Sequence, residues 1–457
     1  MNLIRSKISA NGDSVINREV RMMGTVGRPI VLVCALVAGL LVGEAFAQET
    51  RRITLREAID TALECNVSAL QASDRVASSR VSVRQAATQF LPDLSASASG
   101  NGTGSSASSR LSSSLTLFDG LGDFNSLRAA QLGLQADRRS YERTQQTVIF
   151  QTVSGFMDVL MNRELVQSRQ ENLEAQRQQL ALVREFYKVG NRPLADLLQQ
   201  QAAVAQAELQ VLNAEQTEGV SKLQLLKTLG VEPTADYEAV ALQLDQLIPK
   251  FEAPDPDPTL REALAHRADV AGQKAQVEAT AKQVSVARSG YWPSLSIGLS
   301  GGSSYSENRS GSFSHQMWGT SPAFDIGLSL SLPLFDRLRT RSSIQQADIT
   351  LRNQKLTLED LERQVTLDIR QALLDYETAV KRLRAADAQL EYTQQALAAT
   401  TERYRVGAAT LAELAASRAQ YANARTDRVQ AGYTVVIAWL AIGYYRGDID
   451  VALRMLG

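Results

Sequence analysis

The chain states its architecture twice. Leu117-Phe118-Asp119, Tyr187-Lys188-Val189-Gly190, Leu194 and Leu197 recur as Leu334-Phe335-Asp336, Tyr404-Arg405-Val406-Gly407, Leu411 and Leu414, each residue 217 positions after its partner and with no insertion across the block. Upstream, Leu55-Arg56-Glu57-Ala58 recurs as Leu260-Arg261-Glu262-Ala263, and Phe90-Leu91-Pro92 as Tyr291-Trp292-Pro293. A period this long marks a duplicated structural half rather than a solenoid repeat. The 457 residues therefore predict one architecture built twice, with repeats at 48–248 and 260–457 joined by a proline-rich, extended connector at 249–259.

Each half opens on a helix. In the first, Leu55, Ile59, Ala62 and Leu63 recur at helical spacing over Thr54–Gln89, Thr54 with Glu57 forms a capping box, and Pro92 ends the run. A two-residue period follows. Leu111, Leu115 and Leu117 alternate with serine and threonine, and in the second half Leu295, Ile297 and Leu299, then Ile326, Leu328, Leu330 and Leu332, alternate with serine, glycine and Asp325. Each half thus predicts two strands around a Ser/Gly-rich loop, Asn101–Ser109 and Gly301–Thr320, with strand pairs at about 93–118 and 294–335. Strands of about 10 residues with one leucine face match a bilayer crossing, so these leucines and isoleucines are the candidate lipid-facing residues.

Beyond each Leu-Phe-Asp the residues are helix formers. No proline occurs between Leu94 and Arg192 or after Pro333. A helix of about 65 residues is roughly 100 Å long, too long for a globular core. Turns follow at Gly190 and Gly407. The returning helices carry four-three stripes, Leu198, Ala202, Ala205, Leu209, Leu212, Gln216, Gly219, Leu223 and Leu226 in the first and Ala415, Ala419, Ala422, Thr426, Val429, Tyr433, Val436 and Leu440 in the second, which read as coiled-coil seams with neighbours on both sides. The fold class is mainly α with a membrane β-barrel. Four strands cannot close a barrel and lipid tolerates no open edge, so closure needs further copies of the chain, and the helices would prolong the ring as a helical cylinder.

The N-terminus predicts export. Arg28 precedes an apolar run from Pro29 to Gly43 and an Ala45-Phe46-Ala47 site, so residues 1–47 read as a cleaved signal peptide, with Met22 or Met23 as the expected start. Cys34 leaves with that segment; Cys65 then stands alone and no intramolecular disulfide can form. Formal net charge is −1, which gives no sign of a nucleic-acid partner.

The ordered motifs Leu55-Arg56-Glu57-Ala58, Phe90-Leu91-Pro92, Leu117-Phe118-Asp119-Gly120, Tyr187-x-Val189-Gly190, Pro333-Leu334-Phe335-Asp336 and Tyr404-x-Val406-Gly407 resemble those of the TolC-like outer membrane efflux protein family. The resemblance implies a homotrimer with a twelve-stranded β-barrel in outer-membrane lipid and an α-helical tunnel across the periplasm. It implies a passive exit duct serving a periplasmic adaptor protein and an inner-membrane transporter, in drug or solute efflux or type I protein secretion. Carried over by position, the periplasmic gate falls on Tyr187, Asp196, Tyr404 and Glu413, with the basic residue in the first hairpin as Arg192; some members instead have an arginine where this chain has Ala409, and an acid at Ala416. Adaptor contact falls on the hairpin tips, Val189, Gly190, Leu194, Val406, Gly407 and Leu411. A ring of Asp196 and Glu413 would favour cations at the mouth, although an acid in a helix's first turn is also stabilised by the macrodipole alone.

The competing reading is a soluble periplasmic coiled-coil spacer or adaptor, which explains the helices but not strands placed identically in both halves. Catalysis has less support. His266 and His315 are the only histidines, and no metal-ligand cluster, phosphate-cradling loop or nucleophile motif is present. The chain is read as a non-enzyme without cofactor or metal.

Overall fold

The computed structural model describes residues 51–102, 106–232, 237–241, 248, 251, 254–319 and 323–454. The expected signal peptide lies outside them, as do residues 249, 250, 252 and 253 of the connector. The elements are β1 (Arg51–Ile53), α1 (Leu55–Cys65), α2 (Val67–Thr88), β2 (Ser95–Gly100), β3 (Ser106–Phe118), α3 (Gly122–Lys188), α4 (Leu194–Leu229), β4 (Tyr237–Ala239), α5 (Pro256–His266), α6 (Ala268–Ser289), β5 (Ser294–Ser306), a π-helical turn (His315–Gly319), β6 (Ala323–Ser331), α7 (Arg339–Arg405), α8 (Leu411–Arg446) and α9 (Ile449–Leu453).

The duplication is metrical. Helices α3 and α7 each have 67 residues and their return partners α4 and α8 each have 36. The short pairs α1/α5 and α2/α6 have 11 and 22 residues in both halves. Both 67-residue helices start the same way. Asp119 accepts the Asp123 backbone N–H at 2.7 Å and Asp336 accepts that of Thr340 at 2.7 Å, so the aspartate of each Leu-Phe-Asp satisfies an orphan donor of the first turn. Leu121 and Leu338 enter at φ 66° and 65°. At the far ends, Asn191 N–H reaches Phe186 O at 2.8 Å and Ala408 N–H reaches Arg403 O at 2.7 Å around glycines at φ 76° and 78°, a Schellman termination in both hairpins.

The sequence expectation of one helix over Thr54–Gln89 is corrected by a break at Asn66, whose side chain accepts from Ser68 N and Ala69 N while its amide donates to Thr228 O at 2.7 Å. That bond seats the end of α4 on the start of α2, so the two short helices run on from one another beside the single α3. The expected Thr54/Glu57 capping box is present. Counted from the junctions at Asn66 and Arg267, Ala263 matches Ala62 rather than Ala58, and both are fully buried. The Leu-Arg-Glu-Ala repeat is thus displaced by about one helical turn. The connector was expected to stay extended through Pro258, but α5 begins at Pro256 behind an Asp255 cap, because the first helical turn has no use for the missing N–H.

Helix α3 is the central beam: it touches α4 and α2 on one side and α8 and α6 on the other, and α7 packs against α8 and α6. The main core lies where these helices change partners. Phe156, Met157, Val436 and Leu440 are buried there, the Phe251 ring stacks on Trp439 at 4.3 Å, and Tyr376 donates to Phe251 O at 2.8 Å. The expected seam on α4 faces elsewhere. Leu198, Leu209, Leu212 and Leu223 are exposed, while Val204, Ala207 and Val211 pack on Leu173 of α3. Within one chain α4 has α3 along one flank only, so its leucine stripe is left uncovered. On α8, which lies between α3 and α7, Val429, Tyr433, Val436 and Leu440 of the expected stripe are buried. No described helix is long and apolar enough to cross a membrane.

Candidate functional site

Two regions could carry transport: the sheet at one end of the long helices and the hairpin tips at the other. The sheet is antiparallel in the order β2-β3-β5-β6, leaving β2 and β6 as free edges. Its register aligns residue types by face. Leu115, Ile297 and Leu328 form one cross-strand row, and Leu299 with Ile326 and Leu295 with Leu330 form the next ones. On the opposite face Thr116, Ser296 and Ser329 align, as do Ser95, Ser112, Ser300 and Asp325. Ser95 Oγ lies 2.8 Å from Ser112 Oγ, and Ser99 Oγ 2.8 Å from Ser108 Oγ, which fixes serine as a shared face. The leucine face has no cover: Ile326, Leu328, Leu330 and Leu332 are all more than half exposed. Leu111 pairs with Gly301, beside Phe324. A bulge between Thr116 and Phe118 puts Phe118, not Leu117, opposite Leu295.

The halves differ here. The offset between them rises from 201 at Pro92/Pro293 to 217 at Leu117/Leu334, so the 16 extra residues of the second half fall within its strand pair. They lengthen the inner strand and add the π-helical turn; the expected loops shrink accordingly, β3 starting at Ser106 and β5 running to Ser306.

At the tips, equivalent residues occupy unlike places. Tyr404 is buried with Val183, Ala409, Leu411 and Leu414, whereas Tyr187, Val189, Leu194 and Val406 are exposed. The cause is position in the helix row, since the second hairpin packs on α3 and the α4 side of the first does not. Arg192 crosses between the hairpins. Its guanidinium carbon lies 4.6 Å from the centre of the Tyr404 ring, and Asp196 holds it at 3.6 Å. Glu413 is not in that group: its N–H donates to the Thr410 hydroxyl at 3.2 Å and its carboxylate faces Arg403 at 3.5 Å. Each expected mouth acid thus carries its own arginine, which offsets much of the charge.

Several polar ties escaped sequence reading. Arg418 donates to Ala175 O at 3.1 Å and to Gln179 Oε1 at 3.2 Å, joining α8 to α3, and burial pushes its guanidinium pKa down. One heptad on, Arg425 bonds Glu171, which holds that carboxylate below its usual value. The seven-residue spacing of two arginines on a helix otherwise rich in small residues was the available signal. Higher up, Arg267, only 4 % exposed, bonds Asp269 at 2.7 Å and 3.1 Å and Asp368 at 3.1 Å. Arg143 approaches Asp269 at 3.6 Å and lies 3.9 Å from the Tyr444 ring centre. Among the described residues no group of His, Cys, Asp and Glu could hold a metal ion.

An uncovered apolar sheet of bilayer height, mounted on two hairpins of about 100 Å, defines a membrane channel with a helical extension. The chain belongs to the outer membrane efflux protein family, whose match covers residues 58–231 and 259–447. Outer membrane efflux protein BepC of Brucella suis is 25 % identical over 331 residues, spanning 71 % of this chain and 69 % of that one. Proteases secretion protein PrtF of Dickeya chrysanthemi is 23 % identical, spanning 74 % and 73 %. The CmeC outer membrane channel of Campylobacter jejuni superposes with a TM-score of 0.75 at 20 % identity, over 86 % of this chain and 85 % of that one. A soluble spacer is excluded by that membership.

Proposed function

We propose that three copies of this chain join edge β6 of one to edge β2 of the next, closing a twelve-stranded barrel in the outer membrane whose helices continue as a periplasmic tunnel. The assembly acts as the passive exit duct of a tripartite efflux pump or a type I secretion system, reached through a periplasmic adaptor and an inner-membrane transporter. The observation that carries this reading is the pairing of an uncovered leucine face with two unpaired strand edges on one sheet, a state lipid does not tolerate in a single copy. The α4 leucine stripe supplies a matching helical surface for a neighbouring copy. Residues 1–47 act as the cleaved export signal.

In this reading the tips gate the duct. The Arg192–Tyr404 contact fastens the first hairpin to the second, and Val189, Gly190, Leu194, Val406, Gly407 and Leu411 offer the adaptor its landing surface. Tyr187 and Glu413 flank the constriction. A partly desolvated cation–π contact contributes about 1 kcal/mol, so Arg192→Ala should raise the open-to-closed ratio about fivefold. Planar-bilayer recording of the purified protein tests both claims: wild type should give small steps and Arg192→Ala larger or longer ones. Equal openings would discard the gate, and a protein that never conducts would discard the duct.

The membrane claim has its own check. Leu328→Arg places a charge in the middle of the leucine face and should cost about 2–4 kcal/mol on insertion. Ser329→Arg on the serine face should insert nearly as wild type does. Equal yields of detergent-extracted, heat-resistant oligomer from the two variants would contradict the assignment of faces.

A further inference from the structure

The serine face carries two charges that transport through a plain duct does not need. In strands β2, β3, β5 and β6 the only charged residues are Arg110 and Asp325. Both sit on the serine face: Arg110 pairs with Ser97 and Gly302, and Asp325 with Ser300. Every other described side chain of that face is serine, threonine or glycine, so these two alone rise above a carpet of small groups. Gly302 leaves Arg110 room, since a Cβ there would lie 3.3 Å from Arg110 Cα and 2.4 Å from Ser109 O. Both residues are exposed, and neither has an ion-pair partner among the described residues. Glu307 and Arg309 lie beyond the end of β5.

From these placements, and resting on the trimeric-duct reading, we infer that Arg110 and Asp325 build an alternating ring of opposite charges inside the barrel, a selectivity site for solutes that carry both a cationic and an anionic group. Strand order sets the alternation. Asp325 is two strands from Arg110 of its own chain, and closure of β6 onto the next β2 puts it two strands from the neighbour's Arg110 as well. Six charges then fall on every second strand of twelve. Arg110 is level with Gly302 and Asp325 with Ser300, two residues apart along the strand, so two strand spacings and this stagger separate the two charges within a chain by about 12 Å, too far for an ion pair and beyond the screening length at physiological salt. The ring therefore has no net charge and confers no preference between simple cations and anions. It does create fields directed along the wall between neighbouring charges, which orient a dipolar solute and leave a neutral one free.

The test is the reversal potential of single pores under a salt gradient at low ionic strength, where screening is weakest. Arg110→Ser leaves only acids and should shift the cation-to-anion permeability ratio up by about twofold; Asp325→Ser should shift it down by a similar factor. The double variant should return to the wild-type ratio, and Arg110→Lys should not depart from it. Serine is the native residue of that face, so insertion is retained, and the yield of heat-resistant oligomer verifies it. A zwitterionic dipeptide added from the outer side should produce blocking events in wild type that vanish in the double variant. Pores that conduct normally with ratios unmoved by either single variant, or dipeptide blocks that survive the double variant, overturn the ring and leave the duct standing. Absence of pores in wild type overturns the duct reading itself.

Discussion

Replacing Arg267 by alanine is expected to lower stability by about 3–5 kcal/mol, since it strands two carboxylates that share a nearly buried guanidinium. Arg267 joins the start of α6 to α7 through Asp368, and Arg143 brings in α3 through Asp269. The pH dependence should reverse. Burial alone would raise the Asp269 pKa, but hydrogen bonds and charge from Arg267, with Arg143, hold it below the usual carboxylate value. A depressed carboxylate stabilises the fold above its unfolded pKa of about 3.9 and loses that contribution as pH falls through the lower folded value. Without Arg267, burial dominates and the folded pKa rises, so the variant should gain stability on acidification from neutral pH toward the unfolded pKa. Thermal unfolding of the detergent-purified protein, followed by helical circular dichroism between neutral pH and about pH 4, reads both effects. A variant that melts like wild type and shows the same pH slope would sink this account. Arg267→Met combined with Asp269→Asn and Asp368→Asn should recover much of the loss, because it removes the stranded charges.

Gly230→Ala should cost at least about 3 kcal/mol, combining a left-handed residue with a steric overlap. Gly230 has φ 74°, and a Cβ there would stand 2.3 Å from the Cys65 carbonyl oxygen and 3.1 Å from Asn66 Cα. It ends α4 where that helix abuts α2, so the overlap cannot be relieved without parting the two. Gly190 has the same conformation, φ 76°, but open space around it, and Gly190→Ala should cost only about 1–2 kcal/mol. Melting temperatures of the two variants compare crowding with strain at constant chemistry. Equal losses would show that the α4–α2 junction yields.

The large helices and both strand pairs were legible because their signals are local: unbroken helix formers, a two-residue period, and glycine at each turn. What escaped depended on distant partners. Asn66 reads as an ordinary helix residue until Thr228 is beside it. The three-residue strands β1 and β4 pair across nearly the whole first half, with Arg51 opposite Tyr237, and carry no period of their own. The stripe on α4 was visible as a stripe, yet periodicity cannot say whether the chain itself or a second copy covers it. At the tips, position identified Arg192, Asp196 and Tyr404 one by one. Only the fold brings Arg192 onto Tyr404 and gives Glu413 to Arg403 instead of to a common acidic mouth.

Identical helix lengths in the two halves also constrain how such a tunnel can be resized. A residue added to α3 alone would drive its turn about 1.5 Å past that of α7 and rotate every later side chain by about 100°, pulling Arg192 off the Tyr404 ring. Length can therefore change only in concert, in both hairpins and by numbers of residues that preserve each helix face. The loop after β5 is under no such constraint: its extra residues lie outside every shared helix, which makes it the natural place to graft a tag or epitope while leaving the reach of the tunnel unchanged.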